Sequence, residues 1–271
     1  MNAHSLSAAK ILPTRMVEKV WGCESLPAPF TAPSGQRIGE IWFEPPPELP
    51  SILAKYLFTS EKLSVQVHPS AAQAQTHEEG KEECWLVLDA EPDARLAIGF
   101  KEPIDGAEMR AAALDGSIEQ LLEWHPVQAG DFFHLTPGTV HAIGPGISLV
   151  EIQQNSDTTF RLFDYGRPRE LHLDRAIEVA EGVPYPPERR GKIAAGSSCL
   201  LDGEYFRFDR IVGSPSPAER DAFTGPLLVM PLAGSVGVAG QELASGACAY
   251  VPSMDVLDFG EAEITLLVRP N

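Results

Sequence analysis

The feature that most limits the fold is a rhythm of short alternating segments closed by glycine or proline. Candidate strands are EIWFEP (40–45), LSVQVH (63–68), ECWLVLDA (83–90), RLAIGF (95–100), DFFHLT (131–136) and ISLVEIQQ (147–154). Later candidates are YFRFDRIVG (205–213), PLLVMPLAGSVGVA (226–239), CAYVPS (248–253) and EITLLVRP (263–270). With 23 glycines and 24 prolines in 271 residues, turn signals are dense enough for a mainly β chain. Three stretches read as helix instead: SAAQAQTHEE (70–79), a segment at 105–125 with Ile118, Leu121 and Leu122 on one face, and 170–182. In the last, Leu173, Ala176 and Val179 share a face and Gly182 is a plausible stop.

The Pro-rich, charged stretch VPYPPERRGKIAAGSS (183–198) reads as a linker, which divides the chain into 1–182 and 199–271. A weak echo crosses it. GDFFHLTPGTVHAIGPGISLVEIQ (130–153) and GACAYVPSMDVLDFGEAEITLLVR (246–269) share one strand-and-turn rhythm. Aligning Pro137 with Pro252 sets His141 opposite Val256, so a duplicated barrel is expected, with the polar residue in the first copy only.

Charge and composition exclude several classes. A formal net charge of -17 disfavours nucleic acid and anionic membrane as partners. An anionic ligand would need local cations or backbone N–H donors. No apolar run reaches the roughly 18–20 residues of a membrane span, and the first residues show no secretory apolar block. The four cysteines, Cys23, Cys84, Cys199 and Cys248, are scattered, which fits a reducing compartment and predicts a cytoplasmic protein.

Within the LSVQVH strand, Leu63, Val65 and Val67 point one way and Ser64, Gln66 and His68 the other. That polar face meets either water or the inside of a barrel. Glu83 opens an apolar strand, and His141 follows a turn made tight by Gly138. Two imidazoles, one carboxylate and an amide suit zinc or another borderline divalent metal, with three protein ligands and an open position being typical of catalytic zinc. Spacing alone leaves a plainer reading equally open: hydrogen-bonded histidines, and Glu83 as one of a solvated acidic run with Glu78, Glu79 and Glu82. His4, His77, His125, His134 and His172 are expected to be of that plainer kind.

LSVQVHPS, GKEECWLVLDA, PGTVHAIG and EIQQNSDTTFRLFDYGR, with MVEKVWGCESL and RELHLDRAIEV, resemble the type I mannose-6-phosphate isomerases of compact bacterial form. The resemblance is strong over residues 12–180 and weak beyond them. It implies two cupin-type (jelly-roll) β-barrels with short helical insertions, the catalytic 1–182 part holding one zinc ion and the 199–271 part holding none. The family's zinc ligands match Gln66, His68, Glu83 and His141, and its catalytic arginine matches Arg161. Asp157 and Lys81 match an acid and a lysine of the family's active site. Glu151, alternating with Ile152, is a further candidate cavity residue. Ser70 departs from the acidic residue common after HP in that family.

The implied reaction interconverts mannose 6-phosphate and fructose 6-phosphate by moving a proton between C1 and C2 through a cis-enediol. A divalent cation can polarise the carbonyl, a guanidinium such as that of Arg161 can stabilise the developing charge, and a base can shuttle the proton. Arg161 and Lys81 are the expected phosphate-binding cations, chosen over Lys62, Arg167 and Arg169. The expected partner is therefore a small-molecule sugar phosphate, with the chain a monomer or small homo-oligomer. Two rivals are a cupin dioxygenase and a non-catalytic sugar-phosphate binder. The first would carry an H-x-H pair where Gln66 stands, and the second would lack Arg161 or a metal ligand.

Overall fold

The computed structural model describes residues 8–271, and over that span the chain is mainly β with short helices. His4 lies outside the described residues. A seven-stranded sheet runs Arg190–Lys192, Asp131–Leu135, Glu83–Ala90, Ile147–Gln154, Ile52–Thr59, Ile38–Phe43, Thr14–Cys23. A five-stranded sheet runs Phe160–Phe163, Val65–Val67, His141–Ile143, Arg95–Phe100, Leu122–Pro126. Every pairing in both is antiparallel. Leu57, Trp85 and Leu149 of the first sheet pack with Leu96, Ile98 and Ile143 of the second, and each such burial stabilises by about 1.5–3 kcal/mol.

The seven-stranded sheet is covered on its other side as well. Tyr56, Phe58, Leu86 and Ile152 pack with Phe206, Phe208, Leu228 and Val268 of an eight-stranded sheet formed mostly by residues beyond 198. Burial on both faces explains the strand Ile52–Thr59, in which every residue is buried. ILAKYLFT does not alternate, so a search for alternation passes over it.

Two segments stitch the parts together. Lys10–Ile11 pairs with Ala249–Val251 in the eight-stranded sheet, and the Leu12 N–H donates to the Cys248 carbonyl at 2.8 Å. The stretch 183–198, expected as a linker, carries the short strand Arg190–Lys192, which pairs with Asp131–Leu135. The Tyr185 hydroxyl lies 2.9 Å from the His134 carbonyl and 2.7 Å from that of Arg189, fastening the stretch further.

Of the expected helices, 170–182 appears as Leu173–Val179. The 105–125 segment forms Gly106–Asp115 and Ile118–Leu121, then turns into the strand Leu122–Pro126. Gly116, at φ +85°, ends the first helix, and pairing with Arg95–Phe100 takes the last residues into the sheet. The helix expected at 70–79 is a run of turns. There the side chains compete with the helical ladder: Gln73 Oε1 accepts from the Ser70 N–H at 3.1 Å, and Glu78 Oε2 from the Gln75 N–H at 2.8 Å.

Candidate metal centre and substrate cavity

Register brings the polar residues together. Arg161, Gln66 and His141 are cross-strand neighbours on three adjacent strands of the five-stranded sheet. On the facing sheet, Trp85, Glu151, Lys55 and Trp42 form a second cross-strand row. The turn before His141 is held to the strand of His68, because the N–H of Gly138 donates to the His68 carbonyl at 2.9 Å. Gly138 has φ +87°, and a Cβ there would lie 2.9 Å from Glu181 Cγ, so glycine is required.

His68, Glu83 and His141 converge, with one ligand atom from each within 4.8 Å of the others. The Nε2 of His68 is 3.5 Å from Glu83 Oε2, and that of His141 is 3.4 Å from Oε1. Each imidazole is oriented from behind. Nδ1 of His68 donates to the Thr158 carbonyl at 2.8 Å and Nδ1 of His141 to the Thr139 carbonyl at 2.9 Å. With the proton on Nδ1, both Nε2 atoms present lone pairs to the carboxylate. Burial lowers both histidine pKa values, that of His68 with help from the Lys81 charge, so both rings are neutral. Neither Glu83 oxygen receives a well-directed hydrogen bond among the described residues. Two imidazole lone pairs and an anionic carboxylate, all buried, face one another. Such a set fits a divalent cation, and its donor types are those of zinc. The reading of Glu83 as a solvated acid fails, since it is 1% exposed.

Lys81 stands beside the group, with Nζ 2.8 Å from Glu83 Oε2 and 3.3 Å from His68 Nε2. Burial opposes its charge, but Glu83 and Glu151 outweigh burial and raise its pKa. The Nε2 of Gln66 is 3.3 Å from that of His141, within reach of the same centre.

Gln66, Lys81, Trp85, Glu151, Asp157 and Arg161 line a cavity of about 400 Å³. Arg161 is half-buried and makes no ion pair among the described residues, and its Nε is buried without a partner. Asp157 is exposed at the mouth. Glu151 is engaged on both oxygens, by Lys55 Nζ and Trp85 Nε1, each at 3.0 Å. Arg169 also lines the cavity but is held by Asp164, and Lys62 and Arg167 lie outside its lining.

Sequence reasoning missed Lys55, Trp42 and His172, all on the cavity wall. Lys55 carried a readable signal: it is the only charge in an otherwise apolar run, so burial would demand an acid opposite, and Glu151 is its cross-strand partner. His172 keeps a structural role, its Nδ1 accepting from the Arg161 N–H at 3.1 Å. Of the other histidines, His77 is exposed, while His125 and His134 are partly buried away from the centre.

No family profile matches the chain. It is 46% identical over 147 residues to mannose-6-phosphate isomerase ManA of Bacillus subtilis, an alignment covering 51% of this chain and 46% of that protein. It is 44% identical over 136 residues to the mannose-6-phosphate isomerase of Streptococcus mutans, covering 47% and 43%. The alignments thus span about half the length of the curated relatives. By fold the match extends further. The crystal structure of the mannose 6-phosphate isomerase from Bacillus subtilis superposes with a TM-score of 0.77 at 25% identity, covering 97% of this chain and 99% of that one. A zinc-bound mannose 6-phosphate isomerase shares the fold at a TM-score of 0.70 and 13% identity, covering 98% of this chain and 100% of that one. By sequence over about half its length and by fold over nearly all of it, the chain is similar to mannose-6-phosphate isomerases.

Proposed function

We propose that the chain is a zinc-dependent aldose–ketose isomerase interconverting mannose 6-phosphate and fructose 6-phosphate through a cis-enediol. The observation that carries this reading is the buried convergence of His68, Glu83 and His141 beside a cavity lined by Arg161, which makes no ion pair among the described residues. The substrate class comes from the curated homologues.

In this reading His68, Glu83 and His141 hold the ion and Gln66 is the fourth protein ligand. The bound zinc would supply Lewis-acid polarisation of the sugar carbonyl. Arg161, with no acid neutralising it, stabilises the negative charge that develops on the enediolate oxygens. Asp157 takes up the migrating proton, because its carboxylate makes no hydrogen bond among the described residues, whereas both oxygens of Glu151 are already occupied. Lys81, kept charged by Glu83 and Glu151, returns a proton or holds an anionic oxygen of the substrate, with Arg161 as the second cation for the phosphate. Glu151 acts through position: it fixes Lys55 and Trp85 on the cavity wall.

The proposed chemistry resides in the 1–182 part, and the 199–271 part contributes scaffold without a metal. The four cysteines are unpaired, which supports a cytoplasmic setting. No described helix is long and apolar enough to cross a membrane. The test is a coupled assay for fructose 6-phosphate from mannose 6-phosphate and, separately, from glucose 6-phosphate. Chelation should abolish turnover, and zinc or cobalt should restore it. Full turnover by metal-free protein would reject the reading, as would zinc-loaded protein that binds mannose 6-phosphate without converting it.

A further inference from the structure

The seven-stranded sheet has two working faces. Along Ile52–Thr59, Lys55 and Leu57 line the polar cavity, while Tyr56 and Phe58 line a second cavity on the reverse side. Along the neighbouring strands, Trp85 and Glu151 face the first cavity, and Leu86, Leu88 and Ser148 face the second. This second cavity measures about 540 Å³ and lies between the two parts of the chain, closed on the far side by Leu232 and Ile264. The stretch 183–198 forms part of its wall, where Ile193 is held by its N–H donating to the Gly130 carbonyl at 2.8 Å.

One cation is built into this apolar chamber. Arg210 is 8% exposed and lines the cavity. Its Nη1 donates to the Gly196 carbonyl at 2.9 Å, and no carboxylate of the described residues pairs with it. The other charges on the lining, Asp89 and Lys192, are exposed and opposite in sign, so they leave Arg210 as the uncompensated charge. A buried guanidinium without an acid calls for an anion, and the surrounding walls call for an apolar body.

We infer that this cavity is a second binding site, distinct from the metal centre, for a small amphipathic monocarboxylate whose acid group meets Arg210. A ligand there would press on the backs of the strands that carry Lys55, Trp85 and Glu151.

The probe is 1-anilinonaphthalene-8-sulfonate, an aromatic monoanion, titrated into zinc-loaded protein and then displaced by decanoate or by decanol. Saturable fluorescence with one site per chain is expected, with decanoate displacing the dye at least tenfold more effectively than decanol. Arg210→Met should weaken dye and decanoate at least tenfold while zinc content is unchanged. Ser148→Phe, which adds a ring beside Phe58 and Leu88, should do the same by filling the chamber, and it serves should the Arg210 variant fail to fold. Arg161→Ala should leave dye binding unaltered. Absence of saturable binding, equal displacement by decanol, or dye binding lost in Arg161→Ala would each overturn the inference.

Discussion

The two parts of the chain share a strand-and-turn rhythm and fill their interiors in opposite ways. The first buries His68, Lys81, Glu83 and His141. The second buries Ile211, Phe223, Leu227, Val229, Val236 and Leu267 in one apolar cluster. Val256, which the alignment of Pro252 with Pro137 sets opposite His141, lies in the short Met254–Val256 turn and packs against that cluster, whereas His141 opens the strand His141–Ile143. The difference teaches what each interior requires. Apolar contacts are complete in themselves. Three converging acceptors are not, because buried polar groups cost free energy unless donors or a cation satisfy them.

His141→Ala should break the contrast most severely. Removing one donor from the acceptor set is expected to weaken zinc binding by more than about 100-fold, since outer partners alone are worth roughly 10–100-fold, and turnover should vanish with the metal. Metal analysis of the purified variant checks this, and full zinc occupancy would contradict it. Arg161→Ala sharpens the contrast by separating charge from metal. Zinc should stay bound while kcat falls by about 10²–10³-fold, as for loss of a charge-stabilising donor; a loss of metal would show that the role of Arg161 is structural. Lys55→Met should leave Glu151 buried without its cation and cost about 3–5 kcal/mol in urea unfolding, a loss that adding Glu151→Leu should largely reverse. The smallest effect belongs to the other part: Val256→Ala, at a partly buried turn, should cost about 1 kcal/mol or less and leave zinc stoichiometry unchanged.

How far the sequence spoke depended on whether a pattern was local. Strands written as apolar runs between turn residues, such as Glu83–Ala90 and Arg95–Phe100, were legible to the residue because turn chemistry is a near-neighbour property. Ile52–Thr59 was not, since its burial on both faces is decided by a sheet built from distant residues. The 70–79 segment had helical composition, yet Gln73 and Glu78 spent their side chains on local backbone groups. At the site, the polar face of LSVQVH, Glu83 and His141 could be singled out as donors of one kind, and the quoted motifs linked them. Their convergence depends on the register of Gln66 with His141 in one sheet and on the second sheet that brings Glu83 against it, which spacing alone cannot give. Lys55 was lost for the same reason: its meaning lies in the acid across the strand from it.

The pairing of Lys55 with Glu151 also bears on how the sheet finds its alignment. Both residues are buried, and Lys55 is the one charge in a strand buried on both faces, where the apolar side chains alone specify alignment weakly. A slip of one residue would send one of the two charges to the apolar reverse side of the sheet and leave the other without its partner. The ion pair thus penalises misaligned sheets whether or not a ligand is present.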